Sequence, residues 1–232
     1  ATAPDHYYRT LEISRILPHL GKSASILDVG CGNGYSTAAF AKKWPSSQFL
    51  GVDYSDEMIT QARVYASTNL SFSVANVLDL QLLKRRFDIV ICQRCLINLA
   101  DWKEQKSALY KLKAAINPGG KLILVENTQE GLDNLNKLRR GFGLPNIKVR
   151  WHNAYLPQRE LLSTLRELFE VQHIENIGNL YYILSRVVYA KMAAMEGKEP
   201  QYNHIINKIA SELPSLPGYH YSPNFMFVLR SV

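Results

Sequence analysis

Short apolar runs alternate with longer amphipathic stretches through the first half of the chain. Residues 25–30, 47–53, 70–76, 87–92 and 121–126 are rich in Val, Ile, Leu or Phe. Near-continuous apolar runs of this length suit strands buried on both faces of a parallel sheet. Between them the pattern predicts helices over 36–43, 55–66 and 102–116. Ser55, ahead of Asp56 and Glu57 and a periodic Met58, Ile59 and Ala62, is a helix start. Trp102, Leu109, Leu112 and Ile116 share about one face, and Asn117-Pro118-Gly119-Gly120 closes that helix in a turn. Such a β-α-β-α rhythm makes right-handed crossovers and a doubly wound α/β sheet.

The second half is less regular. A helix over 130–140 leads into a Gly/Pro-broken loop and then Trp151-His152-Asn153-Ala154-Tyr155. A helix over 158–168, a strand over 170–176, an aromatic-rich segment from Gly178 to Met192, a helix over 202–213 and a last strand over 224–230 follow. The expected molecule is therefore one seven-stranded, mostly parallel α/β domain with an antiparallel last strand. Its parts are an N-terminal flap helix (about 1–22), a binding core (24–126), a cap inserted after the fifth strand that ends with the sixth (127–223), and the last strand (224–232). The 232 residues suffice for one such domain, and 47% hydrophobic residues supply its core.

Composition narrows the picture. No apolar run approaches the roughly 18–20 residues that span a bilayer, and the first residues lack a basic-then-apolar leader pattern. The three cysteines, Cys31, Cys92 and Cys95, have no zinc spacing and form no disulfide framework, so no metal and a reducing cytoplasm are expected. Cys92 and Cys95 form a C-x-x-C that reads as packing at a strand end. The formal net charge is +7, and between Asn134 and Gln158 five basic residues (Lys137, Arg139, Arg140, Lys148, Arg150) stand without an acid. That stretch is either a solvated face or an anion-attracting rim on a substrate pocket.

The strongest chemical signal is Ile26–Thr37, in which a buried strand runs into Gly30-x-Gly32-x-Gly34 and then a helix. Glycines let the backbone turn tightly and approach a ligand, and the helix start behind them offers unpaired N–H groups. Asp53 closes the next strand, 19 residues beyond Gly34, where a carboxylate can accept hydrogen bonds from both hydroxyls of a ribose.

Asp28-x-Gly30-x-Gly32-x-Gly34 followed by an acidic strand end resembles the class I S-adenosylmethionine (SAM)-dependent methyltransferases. The phosphate-binding spacing of NAD dehydrogenases, G-x-G-x-x-G, is different. Three more segments are similar to the family: Val74–Leu80, Phe87–Leu99 and Asn117–Glu126. The likeness covers about residues 24–126 and extends to the last strand. It implies SAM as methyl donor and S-adenosylhomocysteine as product. Asp28 would orient the glycine loop and the SAM amino group, and Gly30, Gly32 and Gly34 would line its methionine part. Asp53 would hold the ribose, with Tyr54 packing on the adenine. Asn76 would meet the adenine amino group, the Val77 N–H the adenine ring, and Gln93 the methionine end. Many relatives carry Asp where this chain has Asn76, whose oxygen can still accept one hydrogen bond.

SAM carries an activated methyl group, so the protein's task is to align a nucleophile, exclude water and, for an alcohol, remove a proton. The turn after the fourth strand lacks the Asn/Asp-Pro-Pro-Tyr/Phe motif, which argues against nucleobase or glutamine amino groups as acceptors. Arg94 and Asn98 there either cap the next helix or bind substrate, Arg94 gripping a carboxylate or phosphate. His152 is the expected general base, beside Trp151, Asn153 and Tyr155 as substrate-binding residues. Tyr182 and Arg186, four apart on one helix face, form either core or a substrate wall. His6, Tyr7, Tyr8 and Arg9 could form a flap over SAM. The expected acceptor is a hydroxyl of a sugar, a glycan or a small anionic molecule. A small amine and RNA or its cap stand as alternatives, the latter through the basic stretch and aromatics, and a non-catalytic SAM-binding role stands behind them. The acceptor atom and the oligomeric state stay open at this level.

Overall fold

A computed structural model describes residues 5–218 and 220–232; the first four positions of the expected flap, and Tyr219, lie outside the described residues. Each predicted strand forms. β1 (Ser25–Val29), β2 (Gln48–Asp53), β3 (Leu70–Val74), β4 (Phe87–Gln93), β5 (Ile116–Asn127), β6 (Glu170–Asn176) and β7 (Asn224–Arg230) make one sheet in the order β3-β2-β1-β4-β5-β7-β6. All neighbours pair in parallel except β7, which runs antiparallel to both β5 and β6. The carboxyl ends of β1, β2 and β4 therefore lie side by side with the start of β7 at one rim.

Alternation along the strands splits the core into two layers. Leu27, Val29, Val90, Cys92, Leu122 and Leu124 pack with Leu109 and Leu112 of α4 (Trp102–Ala114) and with Leu161 and Leu165 of α6 (Gln158–Leu168). On the other face Ile26, Ile89, Ile91, Ile123 and Val125 pack with Ile16 of α1 (His6–Ile16), Phe40 of α2 (Tyr35–Lys43) and Ile59 of α3 (Asp56–Ala62). Burial of each such side chain contributes roughly 1.5–3 kcal/mol before entropy is counted, which explains why strand positions were legible from apolar runs.

The structure differs from expectation where tertiary pairing overrides local pattern. Ser55 caps α3 as predicted, accepting from the Met58 N–H at 3.3 Å, but α3 stops at Ala62 and tightens into a 3-10 turn over Arg63–Tyr65. The helix expected to reach Ile116 ends at Ala114, because Ile116 pairs with Phe87 and opens β5. The Asn117–Gly120 turn becomes a bulge within β5: Phe87 faces Ile116 and Ile89 faces Lys121, with Gly119 at φ 76°. The last helix is shorter than expected, α9 (Ile205–Glu212) starting beyond His204, whose ring accepts from the Ile206 N–H.

The cap begins with α5 (Gln129–Gly141), and 144–157 is irregular apart from one parallel bridge between Thr128 and Leu156. The aromatic-rich segment is a helix, α7 (Asn179–Tyr182) continuing through a π-helical stretch, Ile183–Val188, into α8 (Tyr189–Met195). α1 and α7 lie together over the rim of the sheet: Tyr8 packs on Tyr181 and Tyr182 at ring distances of 5.0 and 5.2 Å. Among the described residues no helix is long and apolar enough to cross a membrane.

Candidate functional site

The glycine turn folds because three left-handed residues follow a buried strand. Gly30, Gly32 and Gly34 have φ of 75°, 54° and 76°, a region costing L-residues with a side chain roughly 1–2 kcal/mol each. The N–H groups of Gly30 and Cys31 both donate to the Val52 carbonyl of β2, at 2.8 and 3.0 Å. A Cβ on Gly30 would lie 2.6 Å from that of Cys95, and one on Gly34 would strike Ala62 and Phe72. Gly32 is different: nothing lies within 4 Å of where its Cβ would be, so the loop is open there. Asp53 borders this opening. It is largely buried, and its two oxygens accept from the Gly32 N–H at 2.9 Å and the Ser55 N–H at 3.0 Å. The carboxylate thus ties the loop to β2 while keeping lone pairs for a ligand.

Asp28 lies behind the loop, buried, and accepts from the Thr37 hydroxyl at 2.6 Å. Burial pushes its carboxyl up to about 6, against the lowering effect of Thr37. Tyr54 is 75% exposed beside Asp53. Asn76 is exposed at the end of β3, its oxygen accepting from the Leu78 N–H at 2.9 Å. Val77 follows as the first residue of a 3-10 turn, where an N–H has no intrahelical partner. The residues expected to face a nucleoside therefore line one rim, from the glycine loop across the ends of β2 and β3.

At the end of β4 the chain turns sharply, with Arg94 at φ 49°. Glu126, at the end of β5, holds this turn: it is fully buried, and its Oε1 accepts from the Cys95 N–H at 2.8 Å and the Leu96 N–H at 2.6 Å. Burial pushes its carboxyl up to about 8 despite these bonds. Asn98 closes the turn, donating to the carbonyls of Arg94 and Cys95 at 3.0 and 3.2 Å. Cys95 packs into the space left by Gly30, so this turn and the glycine loop are in direct contact.

Beyond the turn lies a polar cluster that sequence reasoning saw only in part. Arg94 pairs with Glu12 of α1 at 3.1 Å; the Glu12 side chain is fully buried and that of Arg94 is 32% exposed. Arg186 pairs with Asp5, which also caps α1 and accepts from the Tyr181 hydroxyl at 2.6 Å. Arg94, expected to grip an anionic acceptor, and Arg186, expected in the core or in a substrate wall, are thus both already neutralised from within. Arg186 also lies over the ring of Tyr182 at 5.7 Å, as the helical spacing implied. Tyr155 and Tyr182 are half-buried, and burial raises both phenols. Tyr155 interacts with Asn127, whose oxygen accepts from Asn224 at 2.9 Å.

Other expected residues lie elsewhere. Trp151 is 94% exposed, and the exposed His152 meets it edge-on at 5.2 Å. Asn153 is half-buried, its N–H donating to the Arg150 carbonyl at 2.9 Å. Of the basic stretch, Arg139 is interior, donating to the carbonyls of Pro145 and Arg186. Lys137 lines a cleft of about 680 Å³ with Asn134, Phe142 and Tyr221, separate from the glycine loop. The residues missed were Asp5, Glu12, Glu126, Asn127 and Asn224. An available signal was an acid placed on an apolar face: Glu12 four residues from Tyr8 and four from Ile16, and Glu126 ending a run of four aliphatic residues.

Comparison with known proteins agrees with this geometry. A family model described as "Methyltransferase domain" matches residues 26–120. The chain is 30% identical over 164 residues to an uncharacterized protein of Rickettsia prowazekii, covering 67% of this chain and 64% of that one. It is 32% identical over 130 residues to an uncharacterized methyltransferase of Schizosaccharomyces pombe, covering 51% and 46%. The chain thus spans about half to just under two thirds of these curated relatives. Among solved structures, the complex of the Haloferax volcanii Trm112 methyltransferase activator with its methyltransferase matches with a TM-score of 0.65 at 17% identity, covering 97% of this chain and 90% of that one. At that identity the likeness is one of fold.

Proposed function

Because this chain belongs to the class I SAM-dependent methyltransferases, we propose that it transfers the methyl group of SAM to a hydroxyl of a small polar acceptor, such as a sugar, by in-line displacement. A small amine is the alternative nucleophile. The observation that carries this is the opening at Gly32, bordered by the carboxylate of Asp53. A cradle free of side chains with an acid at its edge fits an adenosyl group: Gly30, Gly32 and Gly34 would receive the methionine part and Asp53 the ribose. Tyr54, Asn76 and Val77 would meet the adenine, and Asp28 and Gln93 the amino acid end. SAM, when bound, supplies a methyl group already activated on sulfur.

The protein's own contribution is position. The Glu126-clamped turn holds Cys95 against the glycine loop and carries Arg94 on its other side to Glu12, which fixes the distance between cofactor and acceptor sites. α1 spans both sites, with Arg9 over the Tyr35 ring at 4.7 Å and Tyr8 against Tyr182. This covering helix keeps water from the reacting centre.

Calorimetric titration with S-adenosylhomocysteine tests the cofactor assignment. Asp53→Ala deletes hydrogen bonds to a partly buried polar partner and should weaken binding by about 1–3 kcal/mol. An unchanged affinity would remove the ribose role from Asp53.

A further inference from the structure

The cluster between α1, α7 and the ends of β4 and β7 holds buried polar atoms that complete no hydrogen bond of ordinary length: Glu12 Oε1, Gln93 Nε2, Arg94 Nε and Asn224 Oδ1, the Gln93 amide interacting with the Glu12 carboxylate only more loosely. Buried polar groups in native proteins are nearly always satisfied, so their concentration at one place asks for a ligand. The four include acceptors and donors, which suits hydroxyl groups, able to do both. Charge points the same way. Arg94 is held by Glu12 and Arg186 by Asp5. Each guanidinium already has a carboxylate beside it, so neither brings an uncompensated positive charge to draw an anion into the interior. Arg94, Tyr155 and Tyr182 are half-buried, Glu12 is fully buried behind its pairing with Arg94, and a tyrosine ring is a face on which a sugar ring can stack.

Resting on the methyl-transfer function proposed above, we infer that this cluster is the acceptor pocket, that it takes an uncharged, hydroxyl-bearing molecule, and that Glu12 receives the acceptor's proton. The acceptor oxygen bonds to the methyl carbon as the carbon–sulfur bond breaks, leaving S-adenosylhomocysteine. The hydroxyl proton passes to the Glu12 carboxylate, so a positive sulfonium and a negative carboxylate are discharged together. Burial holds the Glu12 carboxyl above its ordinary range, the direction that makes it a better base. The groups facing it are Arg94 and Gln93 from β4 and its following turn, Asp5, Tyr8 and Arg9 from the start of α1 and the residue before it, and Tyr182 from α7.

The test uses the full chain and radiolabelled SAM with a small-molecule extract of the source cells, separated by charge beforehand into neutral, cationic and anionic pools. Label should enter the neutral pool at least about tenfold above the others; label chiefly in a charged pool overturns the acceptor assignment. No label in any pool, with S-adenosylhomocysteine still binding, overturns instead the transfer function beneath it. With the neutral pool, Glu12→Gln should lower the rate about a hundredfold or more and flatten the rise of rate with pH seen in the parent. Its S-adenosylhomocysteine affinity, read by calorimetry, should stay within about threefold. A rate within about threefold of the parent and an unchanged pH profile overturn the role of Glu12. Should Glu12→Gln not fold, Glu12→Asp keeps the charge and shortens the reach. It should lower the rate about tenfold with melting temperature and S-adenosylhomocysteine affinity unchanged, and a parental rate overturns the assignment.

Discussion

Replacing Glu126 by Gln should make the protein more stable in mildly alkaline solution, although it removes a charge that accepts two hydrogen bonds. Burial lifts the Glu126 carboxyl from its ordinary 4.5 to about 8. At 1.36 kcal/mol per tenfold change in proton affinity, keeping it ionised in the folded state costs about 4–5 kcal/mol. The sign follows from linkage. The folded-state value is raised, so the burden is absent below about pH 4.5, grows as pH rises, and is fully present above about pH 8. Gln reproduces the protonated carboxyl: its oxygen can accept from Cys95 and Leu96, and its NH2 takes the place of Oε2, which has no hydrogen-bond partner. Leaving that NH2 unsatisfied costs about 1 kcal/mol or more. Urea unfolding of both proteins from pH 5 to 9 measures the difference. Glu126→Gln should be about 1 kcal/mol less stable at pH 5 and about 3 kcal/mol more stable at pH 8.5. Taking the difference cancels the other titrating groups, such as Asp28. A difference that does not change with pH would refute the claim that this carboxyl is ionised against its burial.

Four further outcomes bear on the site. Gly30→Ala places a methyl group 2.6 Å from the Cys95 Cβ at a positive φ and should cost about 2–4 kcal/mol in urea unfolding. Gly32→Ala, with open space around it, should cost only about 1–2 kcal/mol yet weaken S-adenosylhomocysteine binding; equal destabilisation by the two would contradict the cradle. Asp28, with its carboxyl at about 6, should lose its hold on the ligand's ammonium as pH falls through 6. Calorimetry from pH 5 to 8 should show affinity declining on the acid side, and Asp28→Asn should abolish that decline. His152→Ala, on an exposed turn against Trp151, should change methyl transfer by less than about threefold. A hundredfold loss would return the base to His152 and away from Glu12.

What the sequence made legible was local. Each core strand announces itself as an apolar run, Ser55 announces α3, and the glycine turn lies between a strand and a helix whose order alone specifies it. The π-helical stretch over Ile183–Val188 left no trace, because its apolar residues fit a strand as well as a helix. The acceptor side was less legible for a physical reason. Arg94 was identified as a guanidinium near a pocket, but a guanidinium's function depends on what neutralises it, and Glu12 lies 82 positions earlier. Arg186 and Asp5 are 181 apart. Such pairs are created by the docking of α1 and α7 across the sheet, and no periodicity encodes them. An acid on an apolar helix face is the one sequence trace they leave. Burying an unpaired carboxylate costs several kcal/mol, so Glu12 in the run Leu11-Glu12-Ile13 demands either a buried cation or a ligand proton. In this fold it has the first, with one oxygen left for the second. The same side chain that makes α1 an unfavourable helix to bury is therefore compensated only by a residue from the far end of β4, which ties the docking of α1 to that turn.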